Sequence, residues 1–206
     1  MRMRSGRMAA AMLLLLSLAG CGSLQQRSET VNSYMLDATF APAVKPPAQA
    51  ATLLVTSPRE AAGFATARMG YVSTPHKLEY FARNKWVDTP GKMLTPLLVR
   101  ALESEGGFST VIQGPSRIRG DLRLETEVVR LQQEFLTQPS RVHFTLRAQL
   151  VDVPAGKVLA TREFDAVEVA ASDDPYGGVV AANRAVQRVL TEVARFCAGH
   201  VPPVRQ

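Results

Sequence analysis

The three histidines, His76, His143 and His200, and the two cysteines, Cys21 and Cys197, are the first places to look for reactivity. The histidines fall on three different segments. None is spaced H-x-x-x-H and no cysteines are paired, so no metal-ligand set is specified. His143 occupies the phase of its segment opposite to Phe144, which points it to solvent. Gly107-Phe108-Ser109 lacks the G-x-S-x-G frame of a nucleophile elbow. Gly63, Gly70, Gly106 and Gly107 compose no phosphate-binding loop. Asp173-Asp174 could act as a carboxylate pair in acid–base chemistry. The same pair suits a helix start, as cap and as N-terminal negative charge. No enzyme, metal or cofactor is expected from these residues.

Surface recognition is the chemistry that remains. Tyr71, Tyr80, Phe81 and Trp86 crowd together with Arg68, Lys77, Arg83 and Lys85. Trp, Tyr and Arg are the side chains that most often anchor interfaces. Arg68, Tyr71, Tyr80, Arg83 and Trp86 are therefore candidate partner-binding residues. The alternative is that these aromatics pack a helix onto a sheet, and for Trp86, next to a helix start, packing is favoured.

Cys21 carries a different chemistry. Arg2, Arg4 and Arg7 precede an apolar run from Met8 to Leu18, followed by Ala19-Gly20-Cys21. An apolar helix needs roughly 20 residues to span a bilayer. The run is too short for that and reads as the core of an export signal. Small residues before a cysteine form the pattern of a lipobox. There the sulfur takes a diacylglycerol, the chain is cut before the cysteine, and the new amino terminus is acylated. Cys21 is thus the expected lipid attachment site. Residues 1–20 are the signal, 21–32 a lipidated tether, 33–200 a single domain and 201–206 a tail.

Charge and cysteine usage agree with export. Three of the 24 Lys and Arg lie in the signal, so 21 face 18 acidic residues and the net charge falls from +6 to +3. No basic run interleaved with aromatics supports nucleic-acid binding. With Cys21 a thioether, Cys197 has no partner within the chain. It is a free reactive thiol, an intermolecular bridge, or a small buried residue on a helix face; the last fits its neighbours best.

The elements that must position these residues follow from pattern. Gly22 to Asn32 has no apolar period and reads as a tether reaching roughly 35 Å when extended. Ser33 to Ala38 reads as a strand, and Ala41 to Ala50, rich in Pro and Ala, as a loop. Thr52 to Thr56, Arg68 to Ser73, Lys77 to Phe81 and Phe108 to Ile112 read as strands, with Ala82 to Lys85 as a turn into Trp86. Asp88-Thr89-Pro90 starts a helix. Met93, Leu94, Leu97, Leu98, Ala101 and Leu102 give it one apolar face, and Gly106-Gly107 stop it. Pro96 within it predicts a kink or a late start of the regular turns. Asp121 to Arg130 alternates, then shifts phase, predicting a bulge near Val128-Val129. Arg141 to Val153 and Val158 to Val169, joined at Pro154-Ala155-Gly156, complete an antiparallel meander. A last helix starts at Ser172 to Pro175, with an apolar stripe from Val179 to Cys197. The expected fold class is α+β, a single mixed, largely antiparallel sheet of about five to seven strands packed against two main helices.

Several of these residues carry a resemblance. Tyr34-Met35-Leu36, Arg68-Met69-Gly70-Tyr71, Leu78-Glu79-Tyr80-Phe81, Asn84 to Pro90, Met93-Leu94 and Gly106-Gly107-Phe108 resemble the ABC-type transport auxiliary lipoproteins, including the paraquat-inducible protein C group. The resemblance implies a non-catalytic part of a lipid transport system. Such systems combine a permease, an ATPase and a periplasmic mammalian-cell-entry-type protein. That protein is the implied partner, docked by the lipoprotein at the outer membrane. Gly22 agrees, since an aspartate there would favour the inner membrane. A homo-oligomer fits a docking collar, though no feature in the sequence specifies one. The other reading is a lipid-binding lipoprotein that itself shuttles or senses amphiphiles, which requires an apolar pocket between helix and sheet.

Overall fold

The computed structural model describes residues 30–43 and 50–202. The signal, Cys21, most of the tether, much of the Pro/Ala loop and residues 203–206 lie outside the described residues. The described residues after Thr30 belong to one compact unit.

The longest alternating segments of the sequence form one side of the sheet, out to its β9 edge. β7 (Leu122–Glu134), β8 (Arg141–Asp152) and β9 (Lys157–Val169) run as an antiparallel meander. Val128 pairs with Leu146 and Arg130 with Thr145, so Val129 is the surplus residue of a bulge. The bulge swaps which parity faces inward: Leu122, Leu124 and Val128 are buried before it and Leu131 after it.

The other edge of β7 is filled by short strands in series. β2 (Thr52–Val55), β3 (Arg59–Glu60) and β4 (Arg68–Thr74) dock parallel to it one after another. β6 (Thr110–Gln113) lies beside β2. β5 (Lys77–Trp86) lies beside β4, and β1 (Asn32–Tyr34) beside β5. The sheet therefore has nine strands, more than the sequence suggests. The long ladders are antiparallel and the short ones mostly parallel.

Three boundaries differ from expectation, each for a physical reason. β1 ends at Tyr34, because Asp37 and Ala38 take their hydrogen bonds from side chains instead of a ladder. Asp37 N–H donates to Asn183 Oδ1 and Ala38 N–H to Asp37 Oδ1. The strand read from Phe108 begins only at Thr110, with Phe108 already in the core. Ala82 to Lys85 is no turn: β5 continues through it to Trp86, held between β1 and β4.

Two helices cover one face. α1 (Pro90–Glu105) has Thr89 at its cap position and Pro90 at its first turn. It stays helical through Pro96, which faces solvent, where its ring displaces no packed neighbour. Its N-terminal donor Gly91 N–H is satisfied by Glu60 Oε1 at 2.6 Å. α2 (Pro175–Ala198) lies on β8 and β9 and packs along α1. Val179, Val186, Val189, Leu190, Val193, Phe196 and Cys197 meet Leu94, Leu98 and Leu102 of α1 and the inner residues of the sheet in one core. The opposite face carries Arg123, Glu125, Glu127, His143 and Asp165, an alternation expected of a sheet covered on one side only. Among the described residues no helix is long and apolar enough to cross a membrane.

Candidate functional site

The aromatic-basic segment is divided between the two faces of the sheet. β4 and β5 form a hairpin whose turn places His76 at φ 67. Side chains alternate along each strand, so Tyr80 and Phe81 point opposite ways. Tyr80 Oη donates to the Gly63 carbonyl at 2.8 Å, and the Arg68 guanidinium stacks 3.8 Å from its ring centroid. This pair lies on the helix-free face. Phe81 instead packs on Tyr71 with ring centroids 4.6 Å apart, and Phe135 closes edge-on at 6.0 Å from Tyr71. Tyr71 is level with Gln133, whose amide is buried beneath α2. Arg83 is exposed on β5.

Trp86 joins neither cluster at the surface. Gly70 pairs with Tyr80 and Arg68 with Lys85, so β5 holds surplus residues between these points. That irregularity reverses the alternation. Without it Trp86 would share Tyr80's face; with it the indole enters the core and is 4% exposed. Of the two readings of Trp86, the structure realises packing. Beside it, Met69, Phe81, Val142, Gly178 and Ala182 line an apolar crevice between α2 and the sheet with a volume of about 10 Å³, room for one water and not for an acyl chain.

The other chemistry-bearing residues have structural partners. Asp174 Oδ1 accepts from Gly177 N–H at 2.7 Å, and this bond, with Ser172, holds its carboxyl below the ordinary range. Asp173 Oδ1 accepts from Ser140 N–H at 2.6 Å. The two carboxylates thus serve different backbone groups. Cys197 is buried, and desolvation pushes its thiol pKa up to about 12, so it is protonated and inert near neutrality.

His143 is less solvent-facing than its strand phase implies, with its side chain 17% exposed. Arg130 Nη1 lies 2.8 Å from His143 Nδ1, and His143 Nε2 lies 2.7 Å from Asp165 Oδ1. A guanidinium can only donate. Nδ1 also lies 3.3 Å from Glu134 Oε1, so the ring sits between the guanidinium and two carboxylates. Thr145 Oγ1 also donates to Asp165. Burial raises the Asp165 pKa, but the hydrogen bonds from Thr145 and His143 outweigh it and hold the carboxyl below its ordinary value. The network ties β7, β8 and β9 together across the open face. Among the described residues no group of His, Cys, Asp and Glu is arranged to hold a metal ion.

Among the described residues, the sheet carries the Tyr71, Phe81 and Phe135 cluster on its helix-bearing face and the Arg68–Tyr80 pair on the other. Residues 34–194 match the family described as the ABC-type transport auxiliary lipoprotein component. The chain belongs to this family. The match starts at Tyr34, so Cys21 lies outside it. The fold is shared with a crystal structure of a Xanthomonas campestris protein assigned to the DUF330 family model. The two are 24% identical, with a TM-score of 0.74 over 82% of this chain and 96% of that one. A second, uncharacterized protein is 16% identical, with a TM-score of 0.64 over 82% of this chain and 99% of that one. No curated protein matches the chain. As an auxiliary lipoprotein, the protein is a component of an ABC-type transport system.

Proposed function

We propose that this auxiliary lipoprotein is the non-catalytic docking subunit of a mammalian-cell-entry-type lipid transport system. It is held at the periplasmic face of the outer membrane by lipid on Cys21 and helps maintain membrane integrity. The observation that carries this reading is family membership across the folded domain. Two features of the chain support it: the lipobox ending in Cys21 and the glycine at position 22. More than one acyl chain on Cys21 makes the anchoring stable.

The partner meets the domain at the surface left by the fold. Tyr71, backed by Phe81 and Phe135, is the candidate contact on the helix-bearing face. Arg68 with Tyr80, and Arg83, are the candidates on β4 and β5 away from the helices. The crevice beneath α2 is itself too small to hold an acyl chain. Affinity capture of the intact lipoprotein from detergent-solubilised membranes tests the reading. A mammalian-cell-entry-type protein is expected among the captured chains. Its absence, with the lipoprotein intact, counts against a docking role.

A further inference from the structure

Around β1 the helix-free face brings exposed aliphatic side chains and cations together. Ser33 pairs with Lys85, and Lys85 with Arg68, so three strands present one row on that face. Val31 and Met35 lie two residues to either side of Ser33. Val87 N–H donates to the Tyr34 carbonyl, which sets Val87 beside Met35. Val31 is 49% exposed, Met35 60% and Val87 53%. Arg68 and Lys85 are exposed within the same patch. The nearby carboxylate of Asp88 is occupied by Lys92 at 3.1 Å.

A single exposed valine needs no explanation. Exposed aliphatic side chains interleaved with cations at one end of a sheet are different: this is the composition of a surface that lies on an anionic bilayer. Chain length says which bilayer is within reach. Nine residues of backbone run from Cys21 to Thr30, about 30 Å when extended, and Val31 follows directly. A membrane that holds Cys21 is therefore close enough to meet this face.

We infer that the patch formed by Val31, Met35, Val87, Arg68 and Lys85 is a second, non-covalent membrane contact, seated on an anionic phospholipid surface. It rests on the reading of Cys21 as the lipid anchor. The contact turns the helix-free face to the lipid, leaving Tyr71 and the helices for the protein partner. Arg68 thereby passes from partner binding to lipid binding.

The test uses the full-length lipoprotein in vesicles of phosphatidylethanolamine and phosphatidylglycerol. Val87→Cys carries an environment-sensitive dye; lipid blocks Cys21 and burial protects Cys197, so the dye reports one place. A blue shift is expected at Val87→Cys and none at Lys157→Cys, on the β8–β9 hairpin. The unlipidated Cys21→Ser chain without residues 1–20, bearing the same dye, should partition onto phosphatidylglycerol vesicles and not onto phosphatidylcholine. Arg68→Gln and Lys85→Gln should each weaken that partition about fivefold. A chain shown by intact mass to be acylated, with its dye still in water, overturns the contact and leaves the anchor standing. A chain that is not acylated overturns the anchor, and the Cys21→Ser partition then decides the contact alone. Equal partition onto both vesicles, or a shift that appears only when the protein partner is added, overturns it as well.

Discussion

Trp86 shows how much one irregularity in a strand decides. The surplus residues of β5 put the indole in the core and leave Lys85 outside. Trp86→Ala should therefore lower unfolding stability by about 3–5 kcal/mol, as for other large buried aromatics. Denaturant titration reads this, and a change under 1 kcal/mol would contradict the core assignment. The Asp165 carboxylate gives a second expectation at this scale. Its pKa is lowered on folding, so its contribution is present above the ordinary carboxylate range and lost as pH falls through the lowered value. Asp165→Asn should flatten the acid limb of the stability profile. An unchanged limb would remove the network from that role. The parts of this network were partly legible in the sequence. His143 and Asp165 alternate on strands of a recognisable meander, but only the register places them opposite one another. No sequence pattern announces Arg130 as the third member, because the bulge at Val129 resets its phase.

At the scale of elements, helix starts and long strands were readable because their signals are local. Pro90 and Pro175 mark both helix entries, Gly106 one exit, and the phase break at Val128-Val129 marks the bulge. What escaped notice depends on distant chain. β3 has two residues and no apolar run; it exists because Glu127 and Val128 offer it an edge. The stretch Ala82 to Lys85 is polar enough to read as a turn, yet flanking strands satisfy its backbone. Thr89 makes no side-chain cap; Glu60, far upstream, supplies the acceptor to α1. Glu60→Ala should thus cost about 1 kcal/mol, and Thr89→Ala much less, measured by thermal unfolding. The opposite ranking would reject that cap. Gly177 gives a sign reversal. Alanine inside a helix is ordinarily favoured over glycine by about 1 kcal/mol. Here a Cβ would collide with the Ser172 carbonyl beside the Asp174 cap. Gly177→Ala should therefore lower the melting temperature, and a rise would show that the first turn of α2 can yield.

At the scale of the whole molecule, attachment and folding are separable. Cys21→Ala should leave circular dichroism and cooperative unfolding of the domain unchanged while releasing it from the outer-membrane fraction. Retention in that fraction would reject Cys21 as the anchor. The arrangement around β7 adds a temporal consequence. β2, β3 and β4 all rest on a strand that lies far behind them in the chain. A polypeptide that crosses a membrane amino end first delivers these strands before their template exists. Until Leu122–Glu134 arrives, the edges of these strands that face β7 have no partner, although β4 already has β5 and β2 has β6. Such long-range pairing slows folding and prolongs exposure of adhesive edges. If the chain is exported as proposed, its first half would need shielding until β7 emerges, and closure of the sheet would be one late event.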